Sequence, residues 1–219
     1  MKSYKLVEIF SSVQGEGGMS GVPMTFVRFT GCNLDCSWCD TPFNEANYSS
    51  CLEGLVNKIT DFANKWVIFT GGEPTLQLDE DLIDELHMKD HMIAIETNGT
   101  QYEEYYTKID YITVSPKTTV EMKRDNCSPA INETLGLNCN LGGVKVNEVR
   151  VPMDGKHEPP ILAYQQKLRP DILYVSPVFA KDNKPIVEAV EQALSAVELY
   201  SLLMDIRLSI QAHKFLEIR

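Results

Sequence analysis

No stretch of this sequence approaches the ~18–20 uninterrupted apolar residues that cross a bilayer. No leader is visible either: the opening MKSYKLVEIF carries charge at Lys2, Lys5 and Glu8 and lacks a central hydrophobic run. Together these absences argue against a membrane or secreted protein and lead to an expected cytoplasmic location. Positive charge is also scarce, with 20 Lys and Arg against 31 Asp and Glu and a formal net charge of −11. Phosphate backbones are held by clustered cations, so nucleic acid is an unfavourable partner, whereas a small ligand held by a few local cations is not. Internal repeats and low-complexity linkers are absent as well. A chain of 219 residues with 43% hydrophobic and 23% charged residues is expected to form one domain, 1–219, around one core.

Short β-rich runs recur at 4–10, 24–30, 66–70, 92–96, 111–114, 144–151, 172–175 and 206–211. Several are continuously apolar, as strands of a parallel sheet are when both faces are covered. Helical spacing appears in Leu52, Leu55, Val56, Ile59, Phe62 and Ala63, and again in Ile186, Val187, Val190, Leu194 and Val197, with Pro185 placed for a helix's first turn. A weaker stripe, Leu78, Leu82 and Leu86, has Asp79, Glu80 and Asp81 at its favourable N-terminal end. Strands alternating with helices predict an α/β fold with a mainly parallel sheet. A complete eightfold barrel takes ~250 residues, so the expected architecture is a partial, open TIM-like barrel of about six mainly parallel strands with few helices. The polar stretch 118–143, rich in Asn, Gly and Ser, is expected to be a loop or irregular insertion.

Six cysteines in a reducing compartment are metal ligands or catalytic groups before they are disulfides. Three of them, Cys32, Cys36 and Cys39, fall within eight residues directly after a predicted strand. Thiolates suit iron–sulfur clusters or zinc, and a loop can wrap three of them around one centre. A closed zinc site takes four ligands, and the fourth would have to come from distant Cys51, Cys127, Cys139 or a histidine. Three ligands on a four-iron cluster would instead leave one iron open to a cofactor. Cys127 and Cys139 are too few for a second cluster and are expected to be free thiols.

Further polar groups follow successive strands. Thr70-Gly71-Gly72-Glu73-Pro74, Glu96-Thr97-Asn98-Gly99 and Ser115-Pro116-Lys117 each stand at a strand's C-terminal end, where α/β sheets bind ligands. Tyr174-Val175-Ser176-Pro177-Val178-Phe179 adds apolar groups suited to an adenine ring or to core packing. The glycines of the first turn would let a ligand approach the backbone, and Glu73 would supply a carboxylate to a cationic amine.

The C-x3-C-x2-C spacing with Trp38 before the last cysteine resembles the signature of the radical S-adenosylmethionine (SAM) superfamily. That likeness implies a [4Fe–4S] cluster on Cys32, Cys36 and Cys39. It also implies SAM held by Trp38, Cys39, Asp40, Gly71, Gly72, Glu73, Gly99, Ser115, Pro116, Lys117, Ser176, Pro177, Val178 and Phe179. Val13-Gln14-Gly15-Glu16-Gly17, Val27-Arg28-Phe29, Cys39-Asp40-Thr41 and Gln211-Ala212-His213-Lys214 narrow the likeness to the 7-carboxy-7-deazaguanine synthase family. Membership implies a lyase that contracts the ring of 6-carboxy-5,6,7,8-tetrahydropterin with loss of ammonia, in queuosine and 7-deazaguanine biosynthesis. By the same resemblance, Thr41 places Mg²⁺, and Val13, Gln14, Gly15, Glu16, Arg28, Thr97, His213 and the carboxylate of Arg219 meet the substrate. A flavodoxin- or ferredoxin-type electron donor and a homodimer are implied too. The rival expectations are a glycyl-radical activating enzyme acting on a protein, and a zinc-stabilised binding module without catalysis.

Overall fold

The computed structural model describes residues 2–34, 36, 38–39, 41, 43, 45–117, 144–180 and 184–217. Positions 118–143, with Cys127 and Cys139, lie outside the described residues, as do Asp40 and Arg219. Among the described residues nine strands form one sheet: β1 (Tyr4–Val13), β2 (Pro23–Phe29), β3 (Tyr48–Ser50), β4 (Trp66–Gly71), β5 (Met92–Thr97), β6 (Tyr111–Val114), β7 (Glu148–Met153), β8 (Ile172–Pro177) and β9 (Ile206–Leu208). Their order is β3-β1-β2-β4-β5-β6-β7-β8-β9. β2 and β4 to β9 run parallel, while β1 is antiparallel to both β2 and β3. The edge strands β3 and β9 do not pair, so the sheet stays open.

The helices are α1 (Leu52–Thr60), α2 (Glu80–Met88), α3 (Ile161–Leu168), α4 (Val187–Tyr200) and α5 (Ala212–Leu216). Asp79 caps α2, accepting a hydrogen bond from the Leu82 amide at 3.0 Å, and Glu80 and Asp81 occupy its first turn. α4 departs from the sequence expectation. Its buried face is Ala189, Ala193 and Ala196, while Val187 and Leu194 are exposed. Alanines at i, i+4 and i+7 let the helix lie close on the sheet, which larger side chains would hold away. Pro185 stands outside this helix, whose N-cap is Ile186.

Alternation along each strand divides the sheet's two faces. Val27, Phe29, Val67, Phe69, Ile93, Ile95, Ile112, Val114, Val149, Val151, Leu173 and Val175 point to the face covered by helices and form the main core. On the other, concave face, Met24, Ile68 and Ala94 pack with Met19, Val22, Phe26, Trp66 and Tyr111 as a smaller apolar floor. One step further along the strands the same face turns polar. Arg28 pairs in register with Thr70, Glu96 with Thr113, and Thr113 with Glu148, giving a polar row across neighbouring strands. A single sequence pattern therefore builds a greasy floor below and a chemical surface above it.

Candidate active site

A cavity of about 220 Å³ opens over this polar row, at the C-terminal ends of the parallel strands. Cys32, Cys36, Cys39, Trp38 and Thr41, all from the loop after β2, line one side. That loop is held against the turn after β4 by backbone contacts. The Gly72 amide donates to the Phe29 carbonyl (3.2 Å), and the Glu73 amide donates to the Gly31 carbonyl (2.9 Å). A Cβ on Gly72 would lie 1.8 Å from the Gly31 oxygen, and one on Gly71, whose φ is +123°, 2.3 Å from the Phe29 oxygen. Both positions therefore require glycine because backbone meets backbone there. Gly71 and Gly72 also line the cavity.

Glu73 follows directly in the same turn. It is fully buried and does not reach the cavity wall. Its oxygens accept from the Thr75 amide (3.1 Å), Thr75 Oγ1 (2.7 Å), Thr97 Oγ1 (2.8 Å) and the Asn98 amide (2.8 Å). Burial pushes its carboxyl up, against the pull of these four donors. The turn after β4 and the end of β5 are thus knitted through one carboxylate. Thr97 lines the cavity and also accepts from the Gly99 amide, whereas Gly99 and Pro116 are absent from the wall.

Lys117 and Ser115 enter from the end of β6, with Lys117 Nζ donating to Ser115 Oγ at 2.5 Å and lying 5.5 Å from the centre of the Trp38 ring. Burial pulls the Lys117 ammonium down, and the neighbouring Cys36 and Cys39 oppose it. Burial likewise raises the Cys32 thiol. Ser176, Pro177, Val178 and Phe179 bring the end of β8 to the opposite wall, and Phe179 meets Phe215 of α5 edge-on at 5.9 Å.

Of the described residues expected on the substrate, Glu16 and Thr97 line the cavity, while Val13, Gln14, Gly15, Arg28 and His213 do not. Gln14 is buried, its Nε2 donating to Glu96 (3.0 Å) and its Oε1 accepting from the Glu16 amide (3.1 Å), so it ties the two carboxylate-bearing residues together. Arg28 pairs with Glu8 (2.9 Å) and donates to Thr41 Oγ1 (3.2 Å); it stands behind the wall that Thr41 forms. Val13 ends β1 opposite Pro23. His213 packs against Gly15, whose carbonyl accepts from the Ala212 amide at 2.9 Å.

The structure adds groups that sequence reasoning missed. Arg150 Nη1 lies 2.9 Å from Glu96 and 3.4 Å from Glu16, and its Nη2 lies 2.5 Å from Glu148. Burial alone would pull Arg150 down, but the three carboxylates outweigh it and hold the guanidinium charged. For Glu96 the balance is mirrored: burial would raise its carboxyl, and Arg150 holds it below the usual carboxylate range. Thr70, Asn98, Thr113, Gln211 and Lys214 complete the polar lining. One signal was available, since Glu148 and Arg150 are charges two residues apart inside an otherwise apolar strand and therefore share a face.

Among the described residues, no three Cys, His, Asp or Glu side chains converge on one point as a single metal ion requires. Cys32, Cys36 and Cys39 do share the cavity wall. A cubane presents its irons at separated corners, so three thiols spread around one cavity suit it better than a closed zinc site.

The radical SAM superfamily profile matches residues 26–132, which include the three cysteines and the three strand-end turns at 70–74, 96–99 and 115–117. The 7-carboxy-7-deazaguanine synthase of Haemophilus influenzae is 34% identical over 99% of this chain and 94% of its own length. That of Bacteroides thetaiotaomicron is 33% identical over 98% of each. The crystal structure of QueE from Escherichia coli superimposes with a TM-score of 0.67 at 24% identity, covering 96% of this chain and 95% of that one, and so shares the fold. With the relatives matched along nearly their whole length, this chain belongs to the 7-carboxy-7-deazaguanine synthase family of radical SAM enzymes.

Proposed function

We propose that this chain carries out the reaction of its family, converting 6-carboxy-5,6,7,8-tetrahydropterin to 7-carboxy-7-deazaguanine with loss of ammonia, for queuosine and other 7-deazaguanines. The observation that supports it most directly is the sharing of one cavity by three cysteines and the carboxylates Glu16 and Glu96. The pterin edge offers N–H donors, and a carboxylate is an acceptor-only partner for them.

Cys32, Cys36 and Cys39 would hold the cluster, with SAM lying between the turn at Gly71 and Gly72, Ser115 and Lys117, and the wall from Ser176 to Phe179. When bound, the reduced cluster and SAM supply abstraction of a hydrogen atom from substrate carbon. The protein's own residues orient and shield. Trp38, Phe43, Val178 and Phe179 give the cavity apolar walls, which exclude water from a reactive intermediate. Thr41 would place Mg²⁺ through its hydroxyl, the ion keeping waters and meeting the substrate carboxylate. Arg28 donates to that hydroxyl and so occupies one of its two lone pairs, leaving the other for the ion.

Cytoplasmic location, a single domain, a flavodoxin- or ferredoxin-type electron donor and a homodimer belong to the same proposal. No helix among the described residues is long and apolar enough to cross a membrane. Exposed Leu199, Leu202 and Leu203, at and beyond the end of α4, offer apolar surface to a second copy.

The test is anaerobic turnover. Reconstituted protein given SAM, dithionite, Mg²⁺ and 6-carboxytetrahydropterin should form 7-carboxy-7-deazaguanine, detected by mass. Absence of that product, with 5′-deoxyadenosine released only when a peptide is supplied, would overturn the assignment.

A further inference from the structure

β7 places Glu148 and Arg150 on the concave face, with Val149 and Val151 on the opposite one. Glu148 is 0% exposed and accepts from the Gly18 amide (2.7 Å), Tyr111 Oη (3.0 Å), Thr113 Oγ1 (3.1 Å) and Arg150 Nη2 (2.5 Å). A carboxylate has about four acceptor positions. Glu148 is therefore saturated by protein, and it does not line the cavity. Arg150 Nη1 turns to Glu96 and Glu16, and all three line the cavity. The turn that carries Glu16 rests on the same pair: a Cβ on Gly17 would lie 2.3 Å from Glu148 Oε1, and one on Gly18 2.6 Å from Tyr111 Oη.

We propose that Arg150, anchored by Glu148, is a positioning residue that fixes Glu16 and Glu96 as two acceptors aimed into the cavity and seats the Gly17-Gly18 turn. The proposal rests on the substrate assignment above and deepens it.

The physical need is clear from the charges. Two carboxylates facing one cavity repel, and one of them would take up a proton unless a cation stood between them. A protonated acid presents an O–H where the ligand presents an N–H, so an acceptor would be lost. Arginine suits the task because its guanidinium is permanently charged and forked, serving carboxylates on both edges at once. Lysine brings one compact point charge and cannot span the three. Around Glu96 the facing groups are Arg28 from β2, Thr70 from β4, Gln14 and Glu16 from the segment after β1, and Glu148 and Arg150 from β7. Arg28, the other cation among them, is already paired with Glu8, and Lys117 from the end of β6, which also faces Glu16 and Arg150, stands beside Cys36 and Cys39.

The test compares holoenzyme carrying Arg150→Lys or Arg150→Met with the parent. Arg150→Met is expected to raise KM for 6-carboxytetrahydropterin about tenfold or more while kcat changes less than about threefold, as loss of uniform binding does. The acid limb of kcat/KM should move to higher pH by about one unit or more, because Glu96 loses the cation that holds it ionised. Arg150→Lys should restore the acid limb but only part of KM. If the single Met variant fails to fold, the double variant Arg150→Met/Glu148→Gln removes the stranded anion with it and is read in the same way. A Met variant with the parent's KM and acid limb would overturn the proposal, as would an equal loss of kcat and bound iron at unchanged KM, which marks a merely structural residue. Carboxyl titration by NMR of ¹³C-glutamate-labelled protein separates this inference from the functional one. If the parent fails to turn over the pterin, the substrate assignment falls, yet a Glu96 titration that ignores Arg150→Met still overturns the positioning role and one that moves upward still supports it.

Discussion

Adding one methyl group at Gly72 should disable the site through the backbone seam behind it, before any ligand is bound. In the structure that carbon would stand 1.8 Å from the Gly31 oxygen, 2.4 Å from the Gly31 carbonyl carbon and 3.0 Å from the Cys32 amide nitrogen. All three are backbone atoms, so no side chain can swing aside, and the turn must back away by about an ångström. Two hydrogen bonds cross this seam, from the Gly72 amide to Phe29 and from the Glu73 amide to Gly31. Losing both costs about 1–3 kcal/mol net, and stranding a buried amide adds to it, so Gly72→Ala should lose about 2–4 kcal/mol. Since Cys32 follows Gly31, the displacement falls on the cysteine loop as well. Urea unfolding measures the first effect, and iron bound per chain after reconstitution measures the second. Gly21→Ala is the control, because Gly21 has φ +87° but open space around it. It should cost about 1–3 kcal/mol of backbone strain and leave iron binding unchanged. A Gly72→Ala protein with the parent's midpoint and iron content would refute the close-approach argument.

Exchanging Cys32, Cys36 or Cys39 singly for serine should each abolish the brown chromophore, while Cys51→Ser, exposed and outside the cavity, should keep the full absorbance at visible wavelengths. Glu73→Gln turns an N–H group toward donors that now find a carboxylate oxygen, so it should cost about 2–3 kcal/mol in thermal unfolding and loosen the end of β5. Asp79→Ala removes the α2 cap and its contacts with Lys2 and Tyr4, for a loss of about 1–2 kcal/mol by urea titration at neutral pH. Burial would raise the Asp79 carboxyl, but the hydrogen bonds from Lys2 and Tyr4 outweigh it and hold the group below its ordinary value. A depressed acid stabilises the fold above its unfolded pKa and ceases to as pH falls through its folded one. The gap between parent and Asp79→Ala should therefore shrink below about pH 4; a gap that widens in acid would contradict the assignment.

The cysteine loop was legible because its chemistry is local: three thiols within one short loop need no partner strand to be recognised. The strand-end turns were legible for a similar reason, each following an apolar run that had to be a strand. The burial of Glu73 was not legible because its partners Thr97 and Asn98 sit on the neighbouring strand, and only the pairing of β4 with β5 shows that the carboxylate lies beneath the turn. Arg150 and Glu96 lie 54 residues apart, so their contact depends on β5, β6 and β7 being neighbours in register. The alternating pattern of Glu148, Val149 and Arg150 held that information, but apolar content concealed it. On α4 the large apolar residues drew attention, whereas tight helix-to-sheet packing had selected the alanines. The short α5 was not foreseen; five residues give no periodicity to read.

The apolar floor of Met24, Ile68 and Ala94 stops the concave face at its lower end. Molecules cannot leak through that end, so exchange with solvent runs over the rim formed by the strand tips. Ligands therefore come and go on the side where the cysteine loop and the carboxylates stand, and the methyl groups at the other end serve to seal the sheet rather than to meet them.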